Sequence, residues 1–566
     1  MSAGHHELSF WRKYVFSTDH KVIGMQYLFT GIIMAFLGGF LAYVFRYNLG
    51  YPGAPIPLYG KLNPMTYNSM VTMHGTIMIF WVAMPVLLAG LGNLLIPLMI
   101  GAEDMAFPKL NLLSYWIFFI STIVLVGSFF IPGGAFGGGW TAYPPLSADG
   151  YPKDAQGFAV ALPILSGGTL WILAVALEFV SMLVGGINFF STTLNMRAPG
   201  MKLTDMPLVI WFINLASLIF MFSVGPLVAG AVMLLLDRTV GTGFYDPSRG
   251  GDPILFQHFF WFFGHPEVYV ILWPTLGIMC EIITTFSRKH IYGYKFIIWS
   301  AIISGFLSII VWAHHQFIAG INPKFAAFFS VTTIIISIPF AAIIFSFIAT
   351  MFKGSLRFPV PMLWAIGFLS VFLIGGVTGI YLGSSAFDIY AHDTYFVIAH
   401  FHYTLFPIVI FGGMAGFTYW FPKFSGKFLN ETLGKLQFWL TFIFFNLTFM
   451  PLFFTGMKGE HRRIFNYAIF DSLKENEGLR KVATIATIGL LVTQVLFIIN
   501  LIVTFRKKRE TEKAKNPYNA NSLEWIADSP PPHGNFSSIP VVYRNPYEYS
   551  SPGRESDFWP QNEPVS

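Results

Sequence analysis

The fold class is decided by one long apolar segment, Met70-Val-Thr-Met-His-Gly-Thr-Ile-Met-Ile-Phe-Trp-Val-Ala-Met-Pro-Val-Leu-Leu-Ala-Gly-Leu-Gly-Asn-Leu-Leu-Ile-Pro-Leu98. It contains no Asp, Glu, Lys or Arg, and it exceeds the roughly 20 apolar residues with which a helix crosses a bilayer. Similar runs recur along the chain, and no polar linker divides residues 20 to 505. The sequence therefore predicts a polytopic membrane protein rather than a soluble, disordered or fibrous one.

The composition of the chain agrees with this prediction. Of its 566 residues, 54% are apolar and only 11% are charged, whereas soluble domains carry about 25% charged residues. The net charge of +6 does not indicate nucleic-acid binding, because the basic residues lie in loops at membrane boundaries. A single cysteine, Cys280, leaves neither a disulfide nor a cysteine metal cluster available. Residues 1 to 20 are polar, so no cleavable signal peptide is expected.

We predict an all-α integral membrane protein with twelve spans. Residues 1–21 would be a cytoplasmic N-terminal segment, 22–505 the twelve-helix catalytic domain and 506–566 an extended cytoplasmic tail. With the N-terminus inside, most Lys and Arg fall on the inner side, as the positive-inside rule requires. The outer loop 456–482 is basic nevertheless, which an anionic partner on that side would partly explain. The predicted spans are 22–45, 70–98, 113–132, 158–188, 207–236, 255–284, 296–315, 326–350, 361–382, 394–417, 435–455 and 483–505.

Six of the fourteen histidines lie deep in these apolar segments. A lone histidine within a span is as often a hydrogen-bonded structural residue as a ligand. An ionisable residue within a span is nevertheless costly and marks a functional site by default. Six in a chain with one cysteine favour metal binding, since neutral imidazole is a preferred ligand of copper and of haem iron. The six are His74, His265, His314, His315, His400 and His402.

Two of these histidines can serve separate centres from one helix. His400 and His402 are two residues apart, which is about 200° around a helix, so they point to nearly opposite faces. His74, alone in the second span, could supply the opposing ligand to one of the two centres. The iron of a haem held in that way would have all six coordination positions filled. That haem would therefore be limited to electron transfer. The other haem would keep an open face.

Three further histidines predict a copper site facing that open haem. His314 and His315 are adjacent at the end of their span, and His265 lies in Gly264-His265-Pro266-Glu267-Val268-Tyr269. Three imidazoles leave a copper ion with a vacant position. Tyr269 follows His265 by four residues on the same helical face, so the phenol can approach the same metal.

Three motifs resemble those of subunit I of the haem-copper oxygen reductases, most closely the type A cytochrome c oxidases. They are Trp261-Phe-Phe-Gly-His-Pro-Glu-Val-Tyr269, Val311-Trp-Ala-His-His315 and His392-Asp-Thr-Tyr-Phe-Val-Ile-Ala-His-Phe-His402. The resemblance extends from Ser17-Thr-Asp-His-Lys21 to Asn521-Ser-Leu-Glu-Trp525, nearly the whole chain. All motifs occur in order, which makes the resemblance specific.

The resemblance implies a role for each intramembrane histidine. One pair would ligate the low-spin haem a, one histidine the high-spin haem a3, and three would hold the copper ion CuB. Tyr269 would be covalently joined to His265 and would donate an electron and a proton when the O–O bond breaks. The implied ligands are His74 and His402 for haem a, His400 for haem a3, and His265, His314 and His315 for copper.

Further residues match positions around the haems. Arg462 and Arg463 resemble the pair that binds haem propionates, and such an anion would account for the basic outer loop. Arg46 matches an arginine near the haem a formyl group. His392 and Asp393 match ligands of a Mg or Mn site above the haems. Also matching, but equally consistent with simple packing, are Trp140 and Trp261.

The resemblance also implies one route for protons. Asp104 lies in an inner loop, with Asn93 before it and Asn111 after it. These residues resemble the family's D pathway, in which an aspartate admits protons toward a buried glutamate. Glu267 suits that second role, because it sits in the middle of an apolar span.

A second family pathway is in doubt. It usually contains a lysine in the eighth span and a threonine three residues earlier, and those positions hold Ile343 and Phe340. A serine usual in the sixth span is Cys280. The adjacent Glu281 follows Tyr269 by twelve residues, about 18 Å along a helix. Either Glu281 opens a substitute route toward Tyr269, or the D pathway carries all the protons.

The resemblance therefore implies a respiratory enzyme that reduces O2 to water and pumps protons. Its implied donor is cytochrome c, acting through a subunit II that carries the CuA site. Subunit III, accessory subunits and a respiratory supercomplex are further expected partners. Its expected location is a bacterial inner membrane.

Three other functions compete. Nitric oxide reductases share the six histidines but lack the helical tyrosine. Quinol oxidases of the family tend to carry His and Gln where this chain has Thr66 and Ser69. A secondary transporter is a different class, and it would show a central substrate site and inverted repeats, which we do not find in the sequence.

Overall fold

The computed structural model of the chain describes residues 9–148 and 165–564, and these residues form a bundle of helices without a β-strand. Eleven helices of the described part are long and apolar enough to cross a membrane. They are α1 (His20–Gly50), α2 (Pro64–Ile100), α3 (Pro108–Phe130), α4 (Gly167–Asn195), α5 (Leu208–Thr239), α6 (Pro253–Ser287), α8 (Pro323–Met351), α9 (Val360–Leu382), α10 (Tyr395–Ser425), α11 (Glu431–Met457) and α12 (Asp471–Phe505).

The remaining predicted span, 296–315, corresponds to a shorter helix, α7 (Tyr294–Ile309). At 1.5 Å per residue its 16 residues cover about 24 Å, less than the hydrocarbon thickness of about 30 Å. The helix ends before the histidine pair, which lies in a separate 3-10 turn, Trp312–Gln316. The fourth predicted span began at 158, and its first residues lie outside the described part.

Side-chain caps and prolines define several helix starts. The side chain of Asp19 accepts a hydrogen bond from the Lys21 amide at the start of α1, and Asn63 accepts one from the Thr66 amide before α2. Asn430 does the same for α11. Such caps satisfy amides that the first helical turn leaves without a partner. They set the points at which the chain enters each span.

Two helices widen just after a histidine. In α2 the chain becomes π-helical at Ile77–Ala83 and again at Pro85–Gly90, directly after His74. In α10 a π-helical stretch, Pro407–Gly412, follows His402. Proline lacks an amide hydrogen, so the regular ladder is interrupted there. Wide turns of this kind are frequent at functional sites.

The C-terminal tail lies across the same end of the bundle as the N-terminus. It contains one short helix, Thr511–Lys515, and buries Trp525 and Tyr547. Asn535 donates hydrogen bonds to the carbonyls of Ala102 and Glu103, in the loop after α2. The three-part division of the chain and its orientation in the membrane remain predictions.

Candidate metal centres

His74 and His402 face each other across the interior of the bundle. Their ring centres are 6.5 Å apart and their planes differ by only 9°. Each Nδ1 is bonded to a backbone carbonyl, Gly38 at 2.9 Å and Ile398 at 2.8 Å. That bond places the proton on Nδ1 and leaves Nε2 free to bind a metal. The separation suits one iron between the rings, since each iron–nitrogen bond takes up about 2.0 Å.

His400 is held from a different side of α10. Its Nδ1 lies 3.0 Å from the Gly375 carbonyl and 3.1 Å from the Thr378 hydroxyl, both on α9. Nε2 again remains available as a ligand. His400 is also close enough to His314 for their charges to interact. One helix thus supplies imidazoles to two separate places, as the spacing of the residues predicts.

The three other histidines converge. The candidate ligand nitrogens of His265, His314 and His315 all lie within 4.8 Å of one another. His265 Nδ1 is 3.4 Å from His315 Nε2, and His314 Nε2 is 3.0 Å from the same atom. Nitrogens bound about 2.0 Å from one tetrahedral metal are about 3.3 Å apart, so this donor set fits a copper ion.

Neighbouring side chains hold two rings of this trio in place. The Thr333 hydroxyl lies 2.7 Å from His314 Nδ1, so Nε2 points inward. His315 stacks on Trp261 with ring centres 3.7 Å apart and planes 10° apart. The Trp261 indole in turn donates to the Tyr143 hydroxyl. Such outer contacts orient metal ligands, so Trp261 has a definite position in the site.

Tyr269 lies against the trio, as its spacing from His265 predicts. The two ring centres are 4.7 Å apart, and Tyr269 also stacks on Phe340 at 5.0 Å. His265 Nε2 is buried and has no hydrogen-bond partner in the described part of the chain. A covalent bond from that nitrogen to the tyrosine would explain the orphaned atom.

The predicted arginines have different surroundings. Arg462 is paired with Asp393. Arg463 is half-buried, adopts φ 69° and makes no hydrogen bond or ion pair with any described residue. Burial and the neighbouring Arg462 lower the pKa of Arg463 to about 10, so it stays charged at neutral pH. Asp393 is close enough to interact with the charge of Arg463, and a half-buried cation without a direct ion pair among the described residues suits the carboxylates of a haem.

Arg46 is buried near the C-terminal end of α1. It donates one bond, 3.2 Å long, to the Arg480 carbonyl, and its Nε has no partner among the described residues.

The predicted Mg or Mn ligands are close but engaged elsewhere. His392 Nδ1 is 3.1 Å from an oxygen of Asp388, and His392 Nε2 is 3.9 Å from Asp393 Oδ1. The same Asp393 oxygen accepts from Arg462. The arrangement does not test the metal site, which remains a prediction.

The predicted proton-pathway residues form a partly continuous set. Asn111 donates to the Asn93 side chain over 2.5 Å, and both are buried. Asp104 lies in the loop between α2 and α3, where burial raises the pKa of its carboxyl to about 6. Glu267 is buried in α6, and neither of its oxygens has a partner in the described part.

Glu281 is bound to the C-terminal tail. The Tyr547 hydroxyl donates to Glu281 Oε1 over 2.5 Å, and the Val209 amide lies 3.4 Å from the same oxygen. The Leu208 amide donates to the Tyr547 hydroxyl over 2.7 Å. Sequence reasoning did not connect the tail with this residue, because the two are 266 positions apart.

One buried carboxylate was missed altogether. Glu178 is completely buried in α4, and both its oxygens lack a protein partner among the described residues. The signal was present in the sequence, since an ionisable residue in the middle of a long apolar segment is a functional candidate.

The geometry defines a membrane protein whose interior histidines are arranged to bind metals at two or more places. A family model described as cytochrome c and quinol oxidase polypeptide I matches residues 22–492. The chain therefore belongs to the family of haem-copper oxidase subunit I.

Named relatives agree with this family. The chain is 38% identical to the alternative cytochrome c oxidase subunit 1 of Bradyrhizobium diazoefficiens, over 99% of this chain and 94% of the relative. It is 40% identical to cytochrome c oxidase subunit 1 of Thermostichus vulcanus, over 96% and 94% of the two chains. A solved haem-copper terminal oxidase dimer shares the fold, with a TM-score of 0.69, 20% identity, and 87% and 85% of the two chains covered.

Proposed function

We propose that this subunit catalyses the reduction of O2 to water by electrons from cytochrome c and couples that reaction to proton pumping. The observation that carries the proposal is the division of the histidines into two arrangements. One arrangement is a pair of parallel rings, His74 and His402. A converging trio with Tyr269 beside it lies elsewhere in the interior. The first suits electron transfer and the second suits chemistry at a copper ion.

The proposal gives each cofactor its own set of ligands. His74 and His402 would hold haem a, His400 would hold haem a3, and His265, His314 and His315 would hold CuB. When bound, these metals supply the redox chemistry, and the protein supplies orientation, burial and protons. Arg463, and Arg462 if it exchanges partners, would bind haem propionates, and Arg46 would contact haem a. A Mg or Mn ion at His392 and Asp393 belongs to the same proposal.

Protons would enter at Asp104 and reach Glu267 past Asn93 and Asn111. Tyr269 would give a proton and an electron to the reacting oxygen. The second pathway of the family lacks its usual side chains at Phe340 and Ile343, so Glu281 would take protons from the inner surface toward Tyr269.

The expected partners follow from the family and from the donor. Cytochrome c would deliver electrons through a subunit II with a CuA site, and subunit III and accessory subunits would complete the complex, within a larger respiratory assembly. Both relatives named above are called cytochrome c oxidase subunits. We place the complex in a bacterial inner membrane with both termini of this chain in the cytoplasm.

Two related functions remain as alternatives. Thr66 and Ser69 replace the His and Gln that quinol oxidases tend to carry, which favours cytochrome c as the donor. Nitric oxide reductases lack a tyrosine at the position of Tyr269, and the contact between Tyr269 and His265 favours oxygen.

The test is a reduced-minus-oxidised spectrum of the purified complex, combined with metal analysis and oxygen uptake. The proposal would be supported by two haems and one copper ion per copy of this chain, not counting copper in subunit II. It also requires oxygen uptake that is driven by reduced cytochrome c. Uptake driven only by quinol would assign the first alternative. Protein without haem absorbance would refute the proposal and would favour the alternative that the chain is a secondary transporter.

A further inference from the structure

Glu178 lies in the middle of α4, and it has no structural role that its contacts reveal. Its exposed fraction is 0% and neither carboxylate oxygen accepts a hydrogen bond from any described residue. A carboxylate kept for structure is normally paired or hydrogen-bonded, because an unpartnered buried charge is very costly. An intramembrane acid without partners is instead typical of proton relays in pumps.

Glu267 has the same environment and lies nearby. It is 3% exposed, its oxygens are equally unpartnered, and its charge interacts with that of Glu178. The two helices meet beside these residues, since the rings of Phe179 and Phe263 are 4.9 Å apart. The packing of α4 against α6 therefore brings the two carboxyls into the same part of the bundle interior.

A buried row of hydroxyls leads from the inner side toward Glu178. Ser181, one helical turn along α4, has its hydroxyl 3.0 Å from the Tyr27 hydroxyl. Tyr27 also bonds the Ser114 hydroxyl over 3.0 Å, and Ser114 donates to the Asn111 carbonyl over 2.7 Å. Tyr27 interacts electrostatically with Glu178 as well. Glu178 thus stands beside the end of the row that begins at Asn93 and Asn111.

We propose that Glu178 is a second proton-holding carboxyl, placed between the Tyr27–Ser181 hydroxyls and Glu267. Its carboxylate takes up one proton from the hydroxyl side, through bridging water where direct contact is lacking. The resulting acid then passes one proton on toward Glu267 and returns to the carboxylate. Each step moves one proton and no electrons. The inference rests on the proposed function and adds one residue to its proton route.

The decisive variant is Glu178→Gln in the intact oxidase complex reconstituted into liposomes. Proton uptake after reaction of the reduced enzyme with O2 should slow by about tenfold or more, and pumping should fall with it. Glu178→Asp, which restores a carboxyl, should recover much of the rate. Glu524→Gln is the matched control. Glu524 is also buried, but Ser522 and Trp420 donate hydrogen bonds to it, so uptake should be unchanged.

Infrared difference spectra supply a readout that does not depend on turnover. The carboxyl C=O band of a protonated Glu178 should shift in D2O and should disappear in Glu178→Gln, while a separate band disappears in Glu267→Gln. Normal uptake and pumping by a well-folded Glu178→Gln enzyme would overturn the inference, as would an unchanged carboxyl spectrum. A wild-type complex that consumes no O2 would instead refute the proposed function. The infrared bands would still report on the carboxyl pair in that case.

Discussion

For three of the candidate ligand histidines, the tautomer follows from one short contact. In His74, His400 and His402 the Nδ1 atom faces a backbone carbonyl. The lone pair on Nε2 is therefore directed away from that carbonyl. The trio is different, because its nitrogens face one another at 3.0 to 3.4 Å. Neutral imidazoles so close together require a shared cation or a mixed set of tautomers.

Removing one ligand of the trio should affect copper alone. We expect His315→Ala to lower the copper bound at this site by about tenfold or more, since even outer-shell changes cost 10- to 100-fold in metal affinity. Metal analysis of the purified complex measures this. His533→Ala, in an exposed part of the tail, is the control and should leave copper unchanged. Full copper occupancy in His315→Ala would contradict the assignment.

Asp104 makes a prediction about pH. Burial raises the pKa of Asp104 to about 6, from an ordinary value near 4. The folded state then holds a proton that the unfolded state has lost, so the contribution of this group to stability falls as the pH rises from about 4 to about 6. Asp104→Asn keeps an oxygen for the Met105 amide. The variant should match the wild type near pH 4 and exceed it by about 1–2 kcal/mol above pH 6.

The measurement is thermal unfolding in detergent at several pH values. A stability difference that does not vary with pH would contradict the raised pKa. Oxygen uptake by the same variant separately tests the proposed entry of protons at Asp104.

At the scale of elements, the ligand helices are held by close backbone contact. Near the end of α11, a Cβ on Gly456 would overlap the backbone nitrogen of Phe396 and would lie 2.7 Å from the Tyr395 carbonyl carbon. Two helices approach this closely only where one presents a glycine. The contact fixes Phe396, which lies at the start of α10 and four residues before His400.

Gly456→Ala should therefore destabilise the protein by about 1–3 kcal/mol, the usual cost of overpacking. Gly478→Ala is a matched control, because an added Cβ there meets nothing within 4 Å and alanine is the better helix former. Thermal unfolding of both variants in detergent compares them. Equal melting temperatures would mean that α10 and α11 can separate at no cost.

The link between α6 and the tail makes a kinetic prediction. If Glu281 admits protons toward Tyr269, Glu281→Gln should slow reduction of the haem-copper centre, because an amide cannot carry the proton. Tyr547→Phe should change the rate through the lost hydrogen bond. Stopped-flow absorbance of the reductive phase measures both. Unchanged kinetics in Glu281→Gln would leave the D pathway to carry all the protons.

At the scale of the whole molecule, the proposed proton route and the candidate copper ligands meet at Glu267. This residue is two positions from His265 in α6 and is close enough to Glu178 in α4 for the two carboxyls to interact. Apolar packing surrounds it, as in the contact of Phe179 with Phe263. An acid with apolar surroundings can release its proton only to a neighbouring group that accepts it. The proposed coupling of proton transfer to electron transfer requires this restriction.

Glu267→Gln should abolish pumping and most turnover, because the amide cannot carry the proton onward. Proton release from liposomes, measured with a pH dye during oxygen uptake, is the test, and an unchanged haem spectrum shows that the fold is intact. A Glu267→Gln enzyme that pumps normally would refute the role of this residue.

Much of the site was predictable from local sequence. The six intramembrane histidines, the spacing of His265 and Tyr269 and the opposite directions of His400 and His402 follow from helix geometry and the cost of polar groups in lipid. The family relationship, inferred from the motifs, is confirmed by the family model. The number of spans was less certain, since α7 is only 16 residues long and the pair His314 and His315 lies beyond it.

What the chain determined by itself was its membrane class, its approximate spans and its candidate ligands, because hydropathy and helical spacing act over a few turns. Only the tertiary structure decided which imidazoles face one another, that Tyr547 binds Glu281 and that Glu178 interacts with Glu267. These contacts join segments from 49 to 328 positions apart in the sequence. The packing of the whole bundle, rather than any local pattern, brings them together.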